Sequence, residues 1–254
     1  MERKTLPPAI AVLGTGSDVG KTLIAAGLCR LLARAGVRVA PFKAQNMSLN
    51  SFVTPEGAEI GRAQALQAAA CRIPPHADMN PILLKPETDG RSQIVLCGSV
   101  YGKTDAQEYF TADGIGRFKP LVEACYRRLA ARYEAMVIEG AGSAAELNLR
   151  DRDLVNWPVV ALADAAVLLV ADIDRGGVFA QLIGTLDLLA PDERARVRGL
   201  VVNKFRGDLG LFAEGISLLE DRTGLPVLGV VPYLSRLGLD QEDSLIIEQP
   251  RLVP

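Results

Sequence analysis

Residues 14–22 read Gly-Thr-Gly-Ser-Asp-Val-Gly-Lys-Thr, and the four residues before them, Ile10 to Leu13, form an unbroken apolar run. A run of that length reads as a buried strand, and Lys21-Thr22 opens a segment with helical spacing. Strand, glycine-rich loop and helix together are the setting of a phosphate-binding loop. Successive N–H groups in such a loop converge on an anion, and the positive end of the helix dipole adds to the field. Gly14, Gly16 and Gly20 have no Cβ, so the backbone can approach the phosphates closely. Lys21 is expected to reach the β- and γ-phosphates and the Thr22 hydroxyl to ligate Mg²⁺. Thr15, Ser17, Asp18 and Val19 complete the nucleotide-binding stretch. Five residues separate Gly14 from Gly20, one more than the usual spacing, so the loop is a variant form.

A chain of 254 residues that is 49% hydrophobic can bury one large core, and a single domain over residues 1–235 is expected, with 236–254 as a linker-like extension. The formal net charge of −2 and the absence of a long basic run speak against nucleic acid or an anionic membrane as partner. The apolar runs are too short to span a bilayer. Residues 1–8 lack the apolar stretch of a secretory signal. Cys29, Cys71, Cys97 and Cys125 form no Cys-x-x-Cys pair, so they read as core filler in a reduced, cytoplasmic enzyme.

After the loop, Ile24, Leu28, Leu31, Leu32 and Ala35 outline one apolar helix face, stopped by Gly36. Val37 to Phe42 returns as a strand, closing a right-handed βαβ unit. The stretch Lys43-Ala-Gln-Asn-Met-Ser-Leu-Asn-Ser follows at the carboxyl end, where open α/β sheets bind ligands. Ala58 to Cys71 reads as a helix. Residues 72–118 show no helical period and read as a lid or binding insertion with short strands at 82–84 and 93–97; His76 within it reads as a solvated loop residue. From Pro120 a helix runs to about Tyr133. Four more apolar runs follow, and each ends in a polar motif: 136–138, 166–171, 199–202 and 227–231, with helices near 177–189 and 209–223. Strand–helix alternation throughout predicts an α/β fold of the P-loop NTPase type, a mostly parallel sheet covered by helices on both faces.

Polar residues gather at the ends of these strands: Lys43, Glu139, Asp172, Asp174, Arg175 and Asn203. A carboxylate on a strand beside the phosphate loop is a second ligand for nucleotide-bound Mg²⁺, and Glu139 is the first choice. Asn203 suits an amide that reads a nucleobase edge with one donor and one acceptor. Asp174 reads either as the N-cap of the next helix or, with Asp172, as a metal-binding pair beside Arg175, whose fork would hold a carboxylate or phosphate.

The loop with five intervening residues resembles that of dethiobiotin synthetase and its relatives, which activate a carboxylate with ATP. Lys43-Ala-Gln-Asn-Met-Ser-Leu-Asn-Ser, Glu139-Gly-Ala-Gly-Ser, Ala171-Asp-Ile-Asp-Arg-Gly-Gly-Val-Phe and Val202-Asn-Lys-Phe-Arg-Gly-Asp together resemble the cobyric acid synthase family, in the family's order and over about residues 8–235. The resemblance implies ATP- and Mg²⁺-dependent amidation of peripheral carboxylates of a corrinoid, adenosylcobyrinic acid a,c-diamide, in cobalamin biosynthesis. Lys21, Lys43, Asp174 and Arg175 are the expected catalytic set. The resemblance also implies a glutaminase domain or subunit as partner, supplying ammonia. No cysteine follows Cys125 and the single histidine lies upstream of it, so no Cys-His glutaminase pair can be placed after the synthetase region. A homodimer is the oligomeric state carried as an expectation.

Rival readings are a dethiobiotin synthetase, a cobyrinic acid a,c-diamide synthase, a plain phosphotransferase and a partitioning-type ATPase. The last resembles this chain least, since its extra loop lysine would stand where Gly16 does.

Overall fold

The computed structural model describes residues 6–87, 91–105, 109, 111 and 116–234. The expected extension at 236–254 lies outside the described residues. The central sheet has six strands: β1 (Ala9–Gly14), β2 (Val39–Phe42), β9 (Ala135–Glu139), β10 (Ala166–Asp172), β11 (Val197–Phe205) and β12 (Val227–Pro232), in the order β12-β11-β10-β1-β9-β2. Every pairing in it is parallel. The polar motifs after the strands therefore fall along one edge, on either side of β1.

Successive residues of the central strands face opposite layers. Val12, Val137, Val170 and Val201 pack on one face with Ala25 and Cys29 of α1 (Lys21–Arg34) and Cys71 of α2 (Arg62–Cys71). Leu13, Ile138, Leu169 and Val202 pack on the other, against α3 (Lys119–Ala130), α4 (Trp157–Ala163), α5 (Val178–Leu188) and α7 (Ala213–Thr223). The short α6 spans Pro191–Arg194. Among the described residues no helix is long and apolar enough to cross a membrane.

Four expectations need correction. The face of α1 that reaches the sheet is centred on Ala25, Ala26 and Cys29, while Leu31 is 63% exposed; small side chains let the helix approach closely, and the larger ones flank the contact. The second helix begins at Arg62, because residues 59–61 form β5 (Glu59–Gly61), antiparallel to β4 (Ser51–Val53). Pairing with Asn80 Oδ1 by the Gly61 N–H and with Asn50 O by the Arg62 N–H overrides the helical preference of that stretch. The insertion is also more regular than expected. Its strands β6 (Ile82–Pro86), β7 (Arg91–Leu96) and β8 (Ser99–Asp105) join β3 (Gln45–Met47), which precedes the insertion, in a second sheet of order β3-β6-β7-β8. Residues 209–212 form a 3-10 turn, and α7 starts only at Ala213.

Candidate active site

The loop after β1 turns through Gly20, whose φ of 95° is the left-handed value open to glycine. Gly20 also caps α1, with no side-chain cap and no acidic residue in the first turn. The first N–H groups of a 14-residue helix thus face the loop mouth, as an anion site requires. At two positions the cradle has no room for a side chain: a Cβ on Gly14 would lie 2.7 Å from Val19 Cγ2, and one on Gly20 would lie 2.0 Å from Asn203 Nδ2. Lys21 is buried, and its Nζ donates to Gly16 O at 2.7 Å and to Gly142 O at 2.9 Å. Its ammonium lies across the mouth of the loop.

Glu139, at the end of the neighbouring β9, is 1% exposed. Its Oε1 accepts from Thr22 Oγ1 and from Lys43 Nζ, each at 2.7 Å, and its Oε2 accepts from Gln67 Nε2. Burial opposes the charge, yet the Lys43 ammonium and the hydrogen bonds from Lys43, Thr22 and Gln67 outweigh it. The carboxyl is held below the usual glutamate range. A hydroxyl and a charged carboxylate that already touch are the hard-oxygen donor set that magnesium takes, so Thr22 and Glu139 fit such an ion. Lys43 reaches this carboxylate because β2 delivers it to the same edge. Its backbone is fixed by the N–H to Met79 O (2.9 Å) and by Asn80 Nδ2 donating to its carbonyl (3.1 Å).

The far side of the loop is held by β10 and β11. Asp172 Oδ2 accepts from Lys204 Nζ at 2.8 Å, and the same ammonium donates to Asp18 O at 2.6 Å. Arg175 brings its guanidinium within 3.7 Å of Asp18 and 3.9 Å of Asp172. Asp174 is not a helix cap: α5 is capped by Gly177 at φ 75°, and Asp174 accepts from Arg206 Nε at 2.7 Å. Asp172 is thus paired with Lys204 and Arg175, and Asp174 with Arg206. Asn203 also departs from expectation. Its Nδ2 donates to Val19 O at 2.8 Å, so the donor half of the amide supports the loop, while its buried Oδ1 has no partner among the described residues.

Gln67, Lys204 and Asn80 are site residues that the sequence reading missed. Gln67 left a signal: with Gln64 it forms an i, i+3 polar pair on the buried side of an alanine-rich helix, and both are fully buried. Lys204 stands at φ 60°, an unusual conformation for a long side chain. His76 is more than a solvated loop residue, since its Nδ1 accepts the Asp78 N–H at 3.1 Å and caps a 3-10 turn. The cysteines are not scattered in space either: Cys97 and Cys125 Sγ lie 3.4 Å apart.

Comparison with known proteins agrees with this architecture. A cobyric acid synthase of Phocaeicola vulgatus is 54% identical over 250 residues, covering 98% of this chain and 50% of the relative. One of Sorangium cellulosum is 56% identical over 242 residues, covering 95% of this chain and 46% of the relative. The chain therefore spans about half the length of the curated relatives it matches. A chain of the MinC:MinD cell division protein complex of Aquifex aeolicus shares the fold at a TM-score of 0.50 and 15% identity, over 91% of this chain and 84% of that one. Residues 10–246 match the family described as the CobQ/CobB/MinD/ParA nucleotide binding domain. On that match, and on a parallel sheet with its glycine loop after β1, this chain belongs to the CobQ/CobB/MinD/ParA nucleotide-binding family.

Proposed function

We propose that this chain is the ATP-dependent amidoligase part of a cobyric acid synthase. In this reading it converts peripheral carboxylates of adenosylcobyrinic acid a,c-diamide to amides in cobalamin biosynthesis. The observation that carries the reading is the buried Glu139 carboxylate, which joins Thr22 of the phosphate loop to Lys43 of the strand beyond. Over half of all residues are identical to two curated relatives of that name, which supports the choice of substrate.

A carboxylate resists ammonia because its leaving group is poor. An acceptor carboxylate oxygen attacks the γ-phosphorus of ATP, the bond to the β-phosphate oxygen breaks, and an acyl phosphate and ADP form. Ammonia then adds to the acyl carbon, phosphate leaves with the C–O bond pair, and the amide gives up a proton to water or phosphate. Magnesium, held by Thr22 and Glu139, would supply charge neutralisation at the phosphates. Lys21 and the loop N–H groups do the same from the chain itself, and positioning accounts for most of the rest. Lys43 and Arg175 bring further positive charge to the two sides of the loop, and Asp174 keeps Arg206 in place. No nucleophilic side chain is needed. The unpartnered Asn203 Oδ1 is an acceptor, which suits the amino group of adenine rather than the carbonyl of guanine. Residues 236–254 would lead toward the glutaminase domain.

The test is ADP formation with ammonium as nitrogen source, with and without adenosylcobyrinic acid a,c-diamide. Stimulation by the corrinoid and appearance of amide are expected; ADP release indifferent to the corrinoid rejects the reading.

A further inference from the structure

Beside the phosphate loop lies a cavity of about 260 Å³, bounded by residues 141–145, the 3-10 turn Leu147–Arg152 and the start of α4. Its floor is apolar, made by Ala144, Leu149, Leu154 and Trp157. The wall is fixed in place: Trp157 Nε1 donates to Ala144 O at 2.8 Å, and the Asn156 amide pairs in both directions with the Ala141 backbone at 3.1 and 2.9 Å. Both acidic lining residues are turned to backbone donors. Glu146 Oε1 accepts from Ser143 N, and Asp153 accepts from the N–H groups of Val155, Asn156 and Trp157.

Two lining side chains offer donors to a ligand. Arg150 is paired with Glu193, whereas Arg152, exposed at the rim, has no ion pair among the described residues. Gln45 is 9% exposed, and its Oε1 accepts from Tyr109 Oη at 2.7 Å, which leaves its NH₂ for a ligand oxygen. An apolar floor with an amide donor and a guanidinium suits an organic acid with an apolar body.

The cavity also adjoins the reacting end of the nucleotide site. Gly142 lines it and accepts from Lys21 Nζ at 2.9 Å; Ser143 lines it and bridges to Thr15 of the loop. A carboxylate entering past Gly142 meets the position of a γ-phosphate held by Lys21.

We propose that this cavity is the acceptor site, and that Arg152 and Gln45 hold a carboxylate arm of the acceptor while Leu149 and Trp157 take the edge of its ring. The proposal rests on the amidoligase reading. At about 260 Å³ the cavity takes one arm and a ring edge of a macrocycle, below the usual volume for a whole ligand. Exposed apolar side chains at Leu147 on the lip, and at Met47 and Leu49 beyond Gln45, offer contact to the remainder.

The experiment is steady-state ADP formation by the 254-residue chain with ammonium, varying adenosylcobyrinic acid a,c-diamide and ATP separately. Arg152→Ala and Leu149→Glu should each raise the KM for the corrinoid about ten-fold or more, the value of one charge-assisted hydrogen bond or one apolar contact, with the KM for ATP in place. Arg152→Lys should recover part of the loss. Cobyric acid, whose amidated arms lack those carboxylates, should compete weakly against the polyacid in the wild type and comparably in Arg152→Ala. Corrinoid-dependent turnover in the wild type with an unchanged corrinoid KM in both variants overturns the cavity and leaves the amidoligase reading standing. Absence of corrinoid-dependent ADP in the wild type overturns both.

Discussion

With its ammonium on two backbone carbonyls, Lys21 is held over the loop before any phosphate arrives, so little ordering remains to be done on binding. Lys21→Ala removes that positioned charge. Turnover should fall by about 10³-fold, or about 4 kcal/mol of transition-state stabilisation; a variant that keeps a tenth of wild-type turnover would show the phosphates to be held by other groups. Glu139→Gln keeps the shape and removes the charge shared by Thr22 and Lys43. Nucleotide binding should persist while phosphoryl transfer is lost, and wild-type rates at limiting Mg²⁺ would contradict the assignment. The same substitution leaves the buried Lys43 without its counter-charge, at a cost of about 3–5 kcal/mol at neutral pH. Because the folded carboxyl titrates below its unfolded value, its contribution is complete above about pH 4.3 and is lost as pH falls through the folded value. The stability gap between wild type and Glu139→Gln, read from denaturant midpoints, should therefore narrow in acid and stay constant from about pH 6 to 8.

At the level of elements, what could be read from the sequence was set by length and by polarity at the ends. Ile10–Leu13 and Ala166–Ala171 are apolar on both faces because both faces are covered, so runs alone identified them as parallel strands. Each run stops at a residue with chemistry, which made Glu139, Asp172 and Asn203 visible. Partners were less visible: Gln67 showed only as half of a polar pair with Gln64, and its contact with Glu139, like that of Lys204 with Asp172, spans a distance in sequence that no local pattern encodes. The insertion was hidden for a different reason. Strands β7 and β8 join through the two-residue turn Cys97-Gly98, with φ of 46° and 83°. Positive φ at both positions is the hairpin turn that favours Asn-Gly, and a cysteine in the first place masks the signal. Cys97→Asn should relieve that conformation and raise stability by about 0.5–1 kcal/mol, seen as a higher denaturant midpoint. A lower midpoint would mean that the 3.4 Å contact with Cys125 matters more than the turn.

For the whole molecule, the parallel sheet carries the glycine loop, and the second sheet begins at Gln45, three residues past the end of β2. Nothing after Cys125 in this chain offers a thiol and an imidazole together. Ammonium at high pH should therefore support amide formation, since NH₃ has the lone pair that attacks an acyl phosphate. Glutamine alone should not. Amide made from glutamine at a comparable rate, with this chain as sole protein, would place a glutaminase site within these residues.

The amide of Asn203 reaches Val19 across 184 positions of sequence, and Thr22 meets Glu139 across 117. Contacts of such range form late in folding, because long loops must close before the contacts contribute. The phosphate cradle is then assembled only once β1, β9 and β11 stand together, and partly folded forms should have no affinity for nucleotide. Mass action turns this into thermal protection: ligand at 100 times its Kd adds about 2.7 kcal/mol to the folded state. The melting temperature should rise steadily with ATP concentration, and on heating without ligand, nucleotide affinity and sheet signal should vanish together.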